Sequence, residues 1–433
     1  MKIGVISLGC PKNLVDTENI LGLLNVSGAT FTHNLDEADI ILINTCGFID
    51  TAKEESINTI LQATTLKEKD KNKKIVVTGC LVERYKDELE KEIPEVDMFI
   101  DLKNEQKIPA FIGLSKNVNT ENLYQTRIIT TPKHTAYLKI SEGCDHTCSF
   151  CAIPNIRGKH VSRPIPELVE EAKILADQGV KELNIVSQDT SSYGVDIYGK
   201  PKLWELIRQL EKIEGIKWIR LYYLYPTTVT EDFIKAIKDS EKVVRYFEMP
   251  IQHSEDKILK DMMRGYRKRR IEKILEWKEK YIPDTAIRTS VIVGFPTETE
   301  KDFENLLNFI QQAKFDWLGV FTYSHEEDTP AYKIFKDTIP YEEKIRRRNE
   351  ILNIQNYITE EKNRQSIGKT FKVLIDGFSQ EWETLPLGRT YKSAYDIDGV
   401  VYIESQEPVR PGEFINVKIK DVIDVYDLVG EVI

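Results

Sequence analysis

The sequence predicts an α/β protein built from an N-terminal parallel α/β domain, a partial (β/α)6 barrel and a small C-terminal antiparallel β-barrel. Three observations favour this fold class. Short apolar runs alternate with helical segments over residues 1–112, and the alternation resumes on a larger scale over residues 130–366. Residues 367–433 carry short alternating strands separated by Gly and Pro turns. These patterns are typical of parallel sheets covered by helices and of a small barrel, respectively.

The first region places three cysteines at the ends of its predicted strands. Strand–helix alternation indicates a parallel sheet, and such sheets bind ligands beyond the carboxyl ends of their strands. Cys10, Cys46 and Cys80 each follow a strand by one to three residues, so we expect them to meet at one edge. The predicted strands are Ile3–Leu8, Ile40–Ile43 and Ile75–Val77, and the helices Val15–Leu24, Thr51–Leu66 and Leu81–Glu90.

The second region predicts six strand–helix units, with an active site at the carboxyl ends of the strands. A polar stretch, Gly113–His134, is expected to be a linker, and the charged helix Tyr341–Gln365 is expected to pack across the barrel. The strands are predicted at Ala136–Ile140, Leu183–Ser187, Trp218–Tyr223, Tyr246–Met249, Ile287–Val293 and Trp317–Thr322. In the third region we predict strands at Lys372–Asp376, Val400–Glu404 and Phe414–Lys420.

Charge and hydropathy limit the classes of partner and location. No apolar run approaches the roughly 20 residues that a membrane-spanning helix needs, and the N-terminal apolar run is too short for a secretory signal. We therefore expect a cytoplasmic protein with no membrane partner. The net charge of −10 disfavours a partner held through its phosphates and favours a basic protein.

A cysteine triplet directly follows the first predicted strand of the barrel. Cys144, Cys148 and Cys151 have the spacing C-x3-C-x2-C. Iron–sulfur cubanes normally take four thiolates, so three leave one iron open to chelate a small molecule through amine and carboxylate groups. A zinc site completed by His146 is the alternative, although this spacing is unusual for zinc fingers.

This triplet resembles the signature of the radical S-adenosylmethionine superfamily, and Phe150 matches the aromatic residue commonly found before its third cysteine. The resemblance implies that Cys144, Cys148 and Cys151 are the catalytic cysteines and hold a 4Fe–4S cluster. It also implies that S-adenosylmethionine binds the open iron and is cleaved to a 5′-deoxyadenosyl radical.

The remaining cysteines form a second set with glycine neighbours. Gly9 precedes Cys10, Gly79 precedes Cys80, and Cys46 is followed by a glycine. Glycine lets a backbone approach a bulky inorganic group closely. Any one of these cysteines alone would more often be a small buried hydrophobe. Three at matching strand ends predict a second three-thiolate cluster.

The pairing of both sets resembles the methylthiotransferase family of radical S-adenosylmethionine enzymes over essentially the whole chain. Gly294–Glu300 and Pro250–Asp256 resemble that family's motifs after its fifth and fourth barrel strands, and the C-terminal region its TRAM domain. The resemblance implies that the cluster at Cys10, Cys46 and Cys80 carries the donated sulfur, which one S-adenosylmethionine methylates. A flavodoxin or ferredoxin electron donor and a sulfur source are the implied partners. Radical chemistry is needed because an unactivated C–H bond is too weakly acidic for a side-chain base.

Four other residues are candidates for binding S-adenosylmethionine. Gln188 and Asp189 follow the second barrel strand, with turn formation as the alternative. Glu248 and Arg288 contact the cofactor or form an ion pair that structures the barrel. The basic cluster Arg264–Arg270 is expected to be a solvated face, with ribosomal RNA contact as the alternative.

Two features favour a protein substrate. The segment Ser7–Asn13, Ser-Leu-Gly-Cys-Pro-Lys-Asn, resembles the branch that modifies the β-carbon of an aspartate in ribosomal protein S-twelve, whereas the tRNA branch typically has Gly-Cys-Gln. From Thr370 onward there are six basic and twelve acidic residues, a net charge of −6 that would repel RNA phosphates and suit a basic ribosomal protein. No direct tRNA substrate is expected. A tRNA adenosine (isopentenyl- or threonylcarbamoyl-adenosine) methylthiotransferase and a non-catalytic iron–sulfur scaffold are the alternatives.

Overall fold

The computed structural model describes residues 1–114, 124–381 and 384–433. The N-terminal region is a five-stranded sheet in which all neighbouring strands are parallel, in the order β2-β1-β3-β4-β5. Its strands are β1 (Lys2–Ser7), β2 (Thr30–Thr32), β3 (Ile40–Thr45), β4 (Lys74–Gly79) and β5 (Met98–Ile100). Its helices are α1 (Pro11–Val26), α2 (Asp50–Lys69), α3 (Cys80–Glu92) and α4 (Ile108–Phe111).

The register of this sheet aligns the carboxyl ends of its three central strands. Asn44 of β3 lies opposite Ser7 of β1 and Thr78 of β4. The chain leaves each strand at this edge and turns into a helix. Cys10, Cys46 and Cys80 therefore lie at one edge of the sheet, as the sequence predicted.

The second region is an open sheet of six parallel strands in the order β13-β12-β11-β10-β9-β6, which confirms the partial barrel. Its strands are β6 (Thr135–Lys139), β9 (Glu182–Val186), β10 (Trp218–Leu221), β11 (Val243–Glu248), β12 (Ala286–Val293) and β13 (Trp317–Thr322), with a short ribbon of β7 (Ser141–Glu142) and β8 (Val161–Ser162). Its helices are α5 (Ile153–Arg157), α6 (Ile165–Asp177), α7 (Val195–Tyr198), α8 (Leu203–Leu210), α9 (Glu231–Asp239), α10 (Asp256–Asp261), α11 (Lys268–Tyr281), α12 (Glu300–Ala313), α13 (Pro330–Ile334) and α14 (Tyr341–Arg364).

Alternate residues of the six strands face opposite sides of this sheet. Leu138, Leu183 and Ile219 belong to the large apolar core under the outer helices. Helix α14 packs across β13, where Gln355 Nε2 donates to the backbone oxygen of Phe315 at 2.9 Å. This confirms the predicted helix across the barrel.

The predicted linker Gly113–His134 is in part a packed segment. Residues 115–123 of it lie outside the described residues. Arg127 is buried and donates from Nε to Glu18 Oε2 and from Nη1 to Glu171 Oε1, both at 2.8 Å. The described part of this segment is irregular, as predicted, but it is also packed, because this arginine ties α1 of the first region to α6 of the second.

The C-terminal region is a closed five-stranded barrel in the order β14-β15-β16-β18-β17. Its strands β16 and β18 run parallel, so the prediction of a wholly antiparallel barrel is wrong at this pair. The reason is topological: a closed ring with an odd number of strands must contain at least one parallel pair. The strands are β14 (Thr370–Phe378), β15 (Pro386–Arg389), β16 (Val401–Glu404), β17 (Phe414–Val422) and β18 (Leu428–Val432), of which β15 and β18 were not predicted.

None of the helices within residues 1–114, 124–381 and 384–433 combines the length and apolar character required to cross a membrane.

Candidate active site

Three glycines bring the loops of the N-terminal cysteines together. A Cβ atom on Gly9 would lie 2.8 Å from Cys46 Cβ, and one on Gly47 would lie 2.9 Å from the carbonyl carbon of Cys80. A Cβ on Gly79 would lie 2.4 Å from the backbone oxygen of the last residue of β3. Gly9 and Gly79 also have positive φ angles of 91° and 102°. The sequence suggested that these glycines make room for an inorganic group, but in the structure they first allow the three loops to touch.

The barrel cysteines lie on the loop between β7 and α5, beyond the carboxyl end of β6. The backbone N–H of Cys144 donates to Gly158 O at 3.1 Å, and that of Cys151 donates to Cys148 O at 3.1 Å. These bonds curl the loop so that its three thiols share one region, where the nearby Cys148 sulfur affects the other two electrostatically. The triplet thus occupies the end of the barrel where active sites are built.

Burial keeps several of these thiols protonated. Desolvation raises the pKa of Cys80 and that of Cys151 to about 12, and the pKa of Cys144 to about 11. Burial also raises the pKa of Cys46. Metal binding at such thiols is therefore coupled to release of their protons. All six cysteines are free of disulfides. No group of three His, Cys, Asp or Glu side chains in the described part of the chain is spaced for a single metal ion.

One buried arginine donates to a sulfur of the barrel triplet. Arg264 Nη1 lies 3.1 Å from Cys148 Sγ, while its Nε donates to Tyr266 Oη at 2.8 Å and its Nη2 to the backbone oxygen of Pro250 at 3.0 Å. Arg264 is only 8% exposed. The prediction of a solvated face is therefore wrong for Arg264. It holds for Arg269, which pairs on the surface with glutamates of α11.

A second arginine links the two cysteine sets. Arg157 of α5 donates to Cys80 Sγ from Nη2 at 3.2 Å and from Nε at 3.4 Å. Its Nη1 also lies 2.6 Å from Asp16 Oδ2 in α1 and 3.3 Å from Glu142 Oε2 beside the triplet. Lys139 pairs with both of these carboxylates. A chain of buried charges therefore connects the N-terminal edge to the triplet loop.

Apolar packing confirms that the two cysteine sets are neighbours. Cys80 forms a small buried cluster with Ala152 and Ile156, and Ala152 directly follows Cys151. Helices α3 and α5 contact each other at this point. The fold thus brings together two cysteine trios that are separated by more than sixty residues in the sequence.

His146, Gln188 and Asp189 form part of the wall beside the triplet. His146 Nε2 lies 2.7 Å from Asp189 Oδ2, and its ring stacks on Tyr225 at 3.7 Å between centroids. Asp189 Oδ1 accepts from both the N–H and the hydroxyl of Ser191, at 3.1 and 2.6 Å. Both oxygens of Asp189 are thus engaged in the turn chemistry that the sequence left open. Gln188 Nε2 donates to Glu142 Oε1.

Glu248 and Arg288 are neighbours in the register of β11 and β12. Arg288, however, forms its ion pair with Asp398 of the C-terminal barrel. Burial raises the pKa of Glu248 to about 7, against the opposing effect of Arg288 and Lys12. Arg288 thus forms a structural ion pair, one of the two roles predicted for it, but its partner is Asp398 and not Glu248.

A buried ionic network fixes the C-terminal barrel to the inner face of the six-stranded sheet. Glu182 of β9 lies 3.0 Å from Arg220 Nη2 and 2.8 Å from Arg389 Nη2. Arg389 Nε in turn lies 2.6 Å from Asp376 Oδ2. These contacts and the burial of Leu374 against the tyrosines of the sheet attach the acidic barrel firmly to the catalytic region.

Arg157 and Arg264 are the polar partners of the cysteines that the sequence did not reveal. Arg157 lies six residues after Cys151, but nothing in a single sequence points its guanidinium at Cys80. Arg264 belongs to a run of basic residues whose spacing favours a solvated face. In both cases only the tertiary contact identifies the residue.

Two cysteine trios on adjoining α/β regions, one of them at the mouth of a six-stranded partial barrel, define a radical S-adenosylmethionine enzyme with a second cysteine site. The Radical SAM superfamily model matches residues 138–310, Uncharacterized protein family UPF0004 matches residues 2–101, and the TRAM domain model matches residues 367–433. The chain is 70% identical to ribosomal protein uS12 methylthiotransferase RimO of Sulfurihydrogenibium sp. over 100% of this chain and 99% of that protein. It is 52% identical to the protein of the same name from Aquifex aeolicus, over 99% of this chain and 97% of that protein. The chain belongs to the RimO family of methylthiotransferases.

Solved structures agree at the level of the fold. The radical S-adenosylmethionine methyltransferase TsrM from Kitasatospora setae, with cobalamin and a 4Fe-4S cluster bound, superimposes with a TM-score of 0.55 at 11% identity, over 86% of this chain and 80% of that chain. The cobalamin-dependent S-adenosylmethionine radical enzyme OxsB gives a TM-score of 0.51 at 12% identity, over 81% of this chain and 56% of that chain. At such identities the likeness concerns the fold alone.

Proposed function

We propose that this enzyme adds a methylthio group to the β-carbon of an aspartate in ribosomal protein uS12, the protein S-twelve of the sequence prediction. The full-length identity of 70% to a relative with that named activity supports the substrate. The observation that carries the chemistry is the position of Arg157, which donates to Cys80 of one trio and contacts Glu142 beside the loop of the other. We assign residues 1–112, 130–366 and 367–433 as the three domains, in accord with the three matching models.

We assign two 4Fe–4S clusters to the two trios. Cys144, Cys148 and Cys151 would hold one cluster with S-adenosylmethionine at its open iron, and Cys10, Cys46 and Cys80 would hold the other. The donor set fits, because each trio offers three free thiols and one buried arginine aimed at a sulfur. A guanidinium beside a thiol favours the thiolate, which is the form that binds metal. When bound, these groups would supply the electron, the radical and the methylthio sulfur.

The protein side chains hold this arrangement in place. Arg264 fixes Cys148, and Arg157 fixes Cys80 while it joins the N-terminal edge to Glu142. Of the four residues predicted to contact S-adenosylmethionine, we keep Glu248 and Gln188. Gln188 Nε2 donates to Glu142, but its buried Oε1 has no hydrogen-bond partner among the described residues. Asp189 and Arg288 are already engaged with neighbouring side chains, and we propose that they position the cofactor pocket rather than touch the cofactor.

The C-terminal barrel supports a basic protein partner. Its net charge of −6 suits a ribosomal protein and opposes RNA, and its ionic network joins it to Glu182 of β9 in the catalytic region. We further propose a flavodoxin or ferredoxin as electron donor, a separate sulfur source, and a cytoplasmic location, where ribosomes occur and thiols stay reduced.

The test is anaerobic incubation of the reconstituted enzyme with S-adenosylmethionine, a reductant, sulfide and either uS12 or tRNA. We expect mass spectrometry to find a methylthio group on uS12, and nucleoside analysis to find none on tRNA. Methylthio-adenosine with unmodified uS12 would contradict the substrate. Failure to produce 5′-deoxyadenosine would instead favour an iron–sulfur scaffold.

The cluster assignment is tested with two matched variants. Cys148→Ala should abolish 5′-deoxyadenosine formation while the N-terminal cluster keeps its iron. Cys80→Ala should retain 5′-deoxyadenosine formation and lose methylthio transfer. Loss of all iron in either variant would contradict two independent sites.

A further inference from the structure

Lys12 is a buried lysine for which the described residues offer no anionic partner. The residue is 8% exposed, and its Nζ makes no ion pair and no hydrogen bond within that part of the chain. Its contact is with the ring of Tyr223, whose centroid lies 3.5 Å away. Buried ammonium groups are normally paired, because desolvation of an isolated charge is costly.

The other buried lysines of the described residues have polar partners of the kind that Lys12 lacks. Lys139 pairs with Asp16 and Glu142, and Lys344 pairs with Asp337 at 2.6 Å. Lys73 donates to three backbone carbonyl oxygens. Lys12 alone of these four has only the face of an aromatic ring, a contact of about 2 kcal/mol when desolvated. Its ammonium group is therefore available for an anion from outside the chain.

The surroundings of Lys12 also favour an anion. It lies in the first turn of α1, a helix of 16 residues with no acidic side chain in that turn. The unpaired N–H groups and the dipole at this helix end attract negative charge. Glu248 is the carboxyl group whose pKa Lys12 influences, but the two groups form no ion pair. Within residues 1–114, 124–381 and 384–433, no carboxylate forms an ion pair with Lys12.

Lys12 connects the loop of Cys10 with the mouth of the barrel. It is two residues from Cys10, and its aromatic partner Tyr223 lies two residues past the carboxyl end of β10, at the mouth of the barrel. Tyr223 has a φ of 55°, in the left-handed region that a tyrosine rarely adopts, and its backbone oxygen accepts from Thr190 N at 3.2 Å. Such strain is found mostly at functional sites. The platform for Lys12 is therefore held rigidly at the reaction site.

We propose that the Lys12 ammonium binds the side-chain carboxylate of the aspartate that is modified. This inference rests on the proposed function and names the residue that recognises its substrate. The β-carbon of aspartate is bonded directly to the carboxylate carbon. An ion pair at Lys12 therefore places the reacting carbon beside the trio that contains Cys10, with N–O distances of about 2.7–2.9 Å for such a pair. Asparagine has no charge to offer and is rejected.

The test compares uS12 with a uS12 variant in which the target aspartate is replaced by asparagine. The enzymes are the wild type, Lys12→Gln, Lys12→Arg and the control Lys91→Gln, which removes an exposed lysine of α3. We expect the wild type to prefer aspartate by about 100-fold in kcat/KM, as for loss of one partner of a buried charge pair. Lys12→Gln should lose this preference, Lys12→Arg should keep part of it, and Lys91→Gln should keep all of it.

Two further readouts separate recognition from structure. Iron content and 5′-deoxyadenosine formation without substrate should be the same in Lys12→Gln and the wild type. Equal use of asparagine by the wild type, or an unchanged preference in Lys12→Gln, would overturn the inference. If Lys12→Gln loses iron, the inference is judged instead on the preference for aspartate over asparagine in the wild type and in Lys12→Arg. A wild-type enzyme that modifies neither form of uS12 would instead show that the proposed function is wrong.

Discussion

Arg157 of the barrel donates two hydrogen bonds to the sulfur of Cys80 in the N-terminal region, from Nη2 at 3.2 Å and from Nε at 3.4 Å. The same guanidinium contacts Asp16 and Glu142. The geometry of the two cysteine trios therefore depends on one buried side chain, and this dependence can be measured.

Replacement of Arg157 should change the N-terminal cluster selectively. Hydrogen bonds to ligand sulfurs stabilise the reduced form of an iron–sulfur cluster, so Arg157→Gln should lower the midpoint potential of the cluster at Cys80, and Arg157→Lys should lower it less. Redox titration followed by electron paramagnetic resonance measures this. Arg264→Gln is the matched control and should lower only the potential of the barrel cluster. Unchanged potentials in both variants would contradict this role for the arginines.

Comparison of Gly79→Ala with Gly28→Ala should separate the cost of backbone strain from the cost of a steric clash. Gly79 has a φ of 102° and a Cβ there would lie 2.4 Å from Asn44 Oδ1. Gly28 has a φ of 94° but no atom within 4 Å of such a Cβ. Both alanines add a conformational cost of about 1–3 kcal/mol, because neither φ angle suits a residue with a side chain. Urea denaturation measures the loss of stability in both variants. Only Gly79→Ala should also lose iron from the N-terminal site, which analysis of the iron content measures. Equal effects of the two variants would contradict the packing role of Gly79.

Arg389→Ala should weaken the attachment of the C-terminal barrel. The substitution removes the guanidinium that joins Glu182 to Asp376 and leaves Glu182 with Arg220 and Asp376 with His134. Removal of one member of a buried ionic pair destabilises a protein by up to about 3–5 kcal/mol. Urea denaturation followed by tryptophan fluorescence measures this loss. Lys420→Ala is the control, because the exposed pairs of Lys420 with Glu404 and Glu431 should add little measurable stability. A similar loss of unfolding free energy in both variants would show that the buried network contributes no more stability than exposed ion pairs.

The contribution of Glu182 should depend on pH in a defined window. Burial alone would raise its pKa, but Arg389 and Arg220 overcome this effect and lower the pKa from 4.5 to about 2. A lowered pKa stabilises the folded state fully above pH 4.5, and this stability is lost as the pH falls toward 2. Glu182→Gln should therefore be less stable than the wild type at pH 7, and the gap in unfolding free energy should shrink below pH 4.5. A gap independent of pH would contradict the prediction.

Most of the fold could be predicted because hydrophobic periodicity reports burial directly. The six barrel strands and the three central strands of the first sheet were predicted within a few residues of their observed bounds. Short strands were missed, as with Pro386–Arg389 and Leu428–Val432, because four or five residues interrupted by glycine give little periodic signal. The parallel pair in the C-terminal barrel follows from ring closure, which no local pattern encodes.

The cysteine sets could be identified from the sequence because their spacing and their places after strands are local properties. The buried arginines that support the site could not be identified in this way. Arg264 resembled a solvated residue in a basic run, and Arg127 resembled part of a linker, yet each is buried against a partner more than a hundred residues away in the sequence.

The sequence by itself determined the α/β organisation, the two cysteine trios and the family to which the chain belongs, because these depend on residue type and short-range order. Only the tertiary structure decided which groups meet: Arg157 with Cys80, Arg288 with Asp398, and Lys12 with the ring of Tyr223 and no anion in the part of the chain that the structure describes. The physical reason is that the partners of a buried charge come from segments that are distant in the sequence. Only folding places those segments beside the charge.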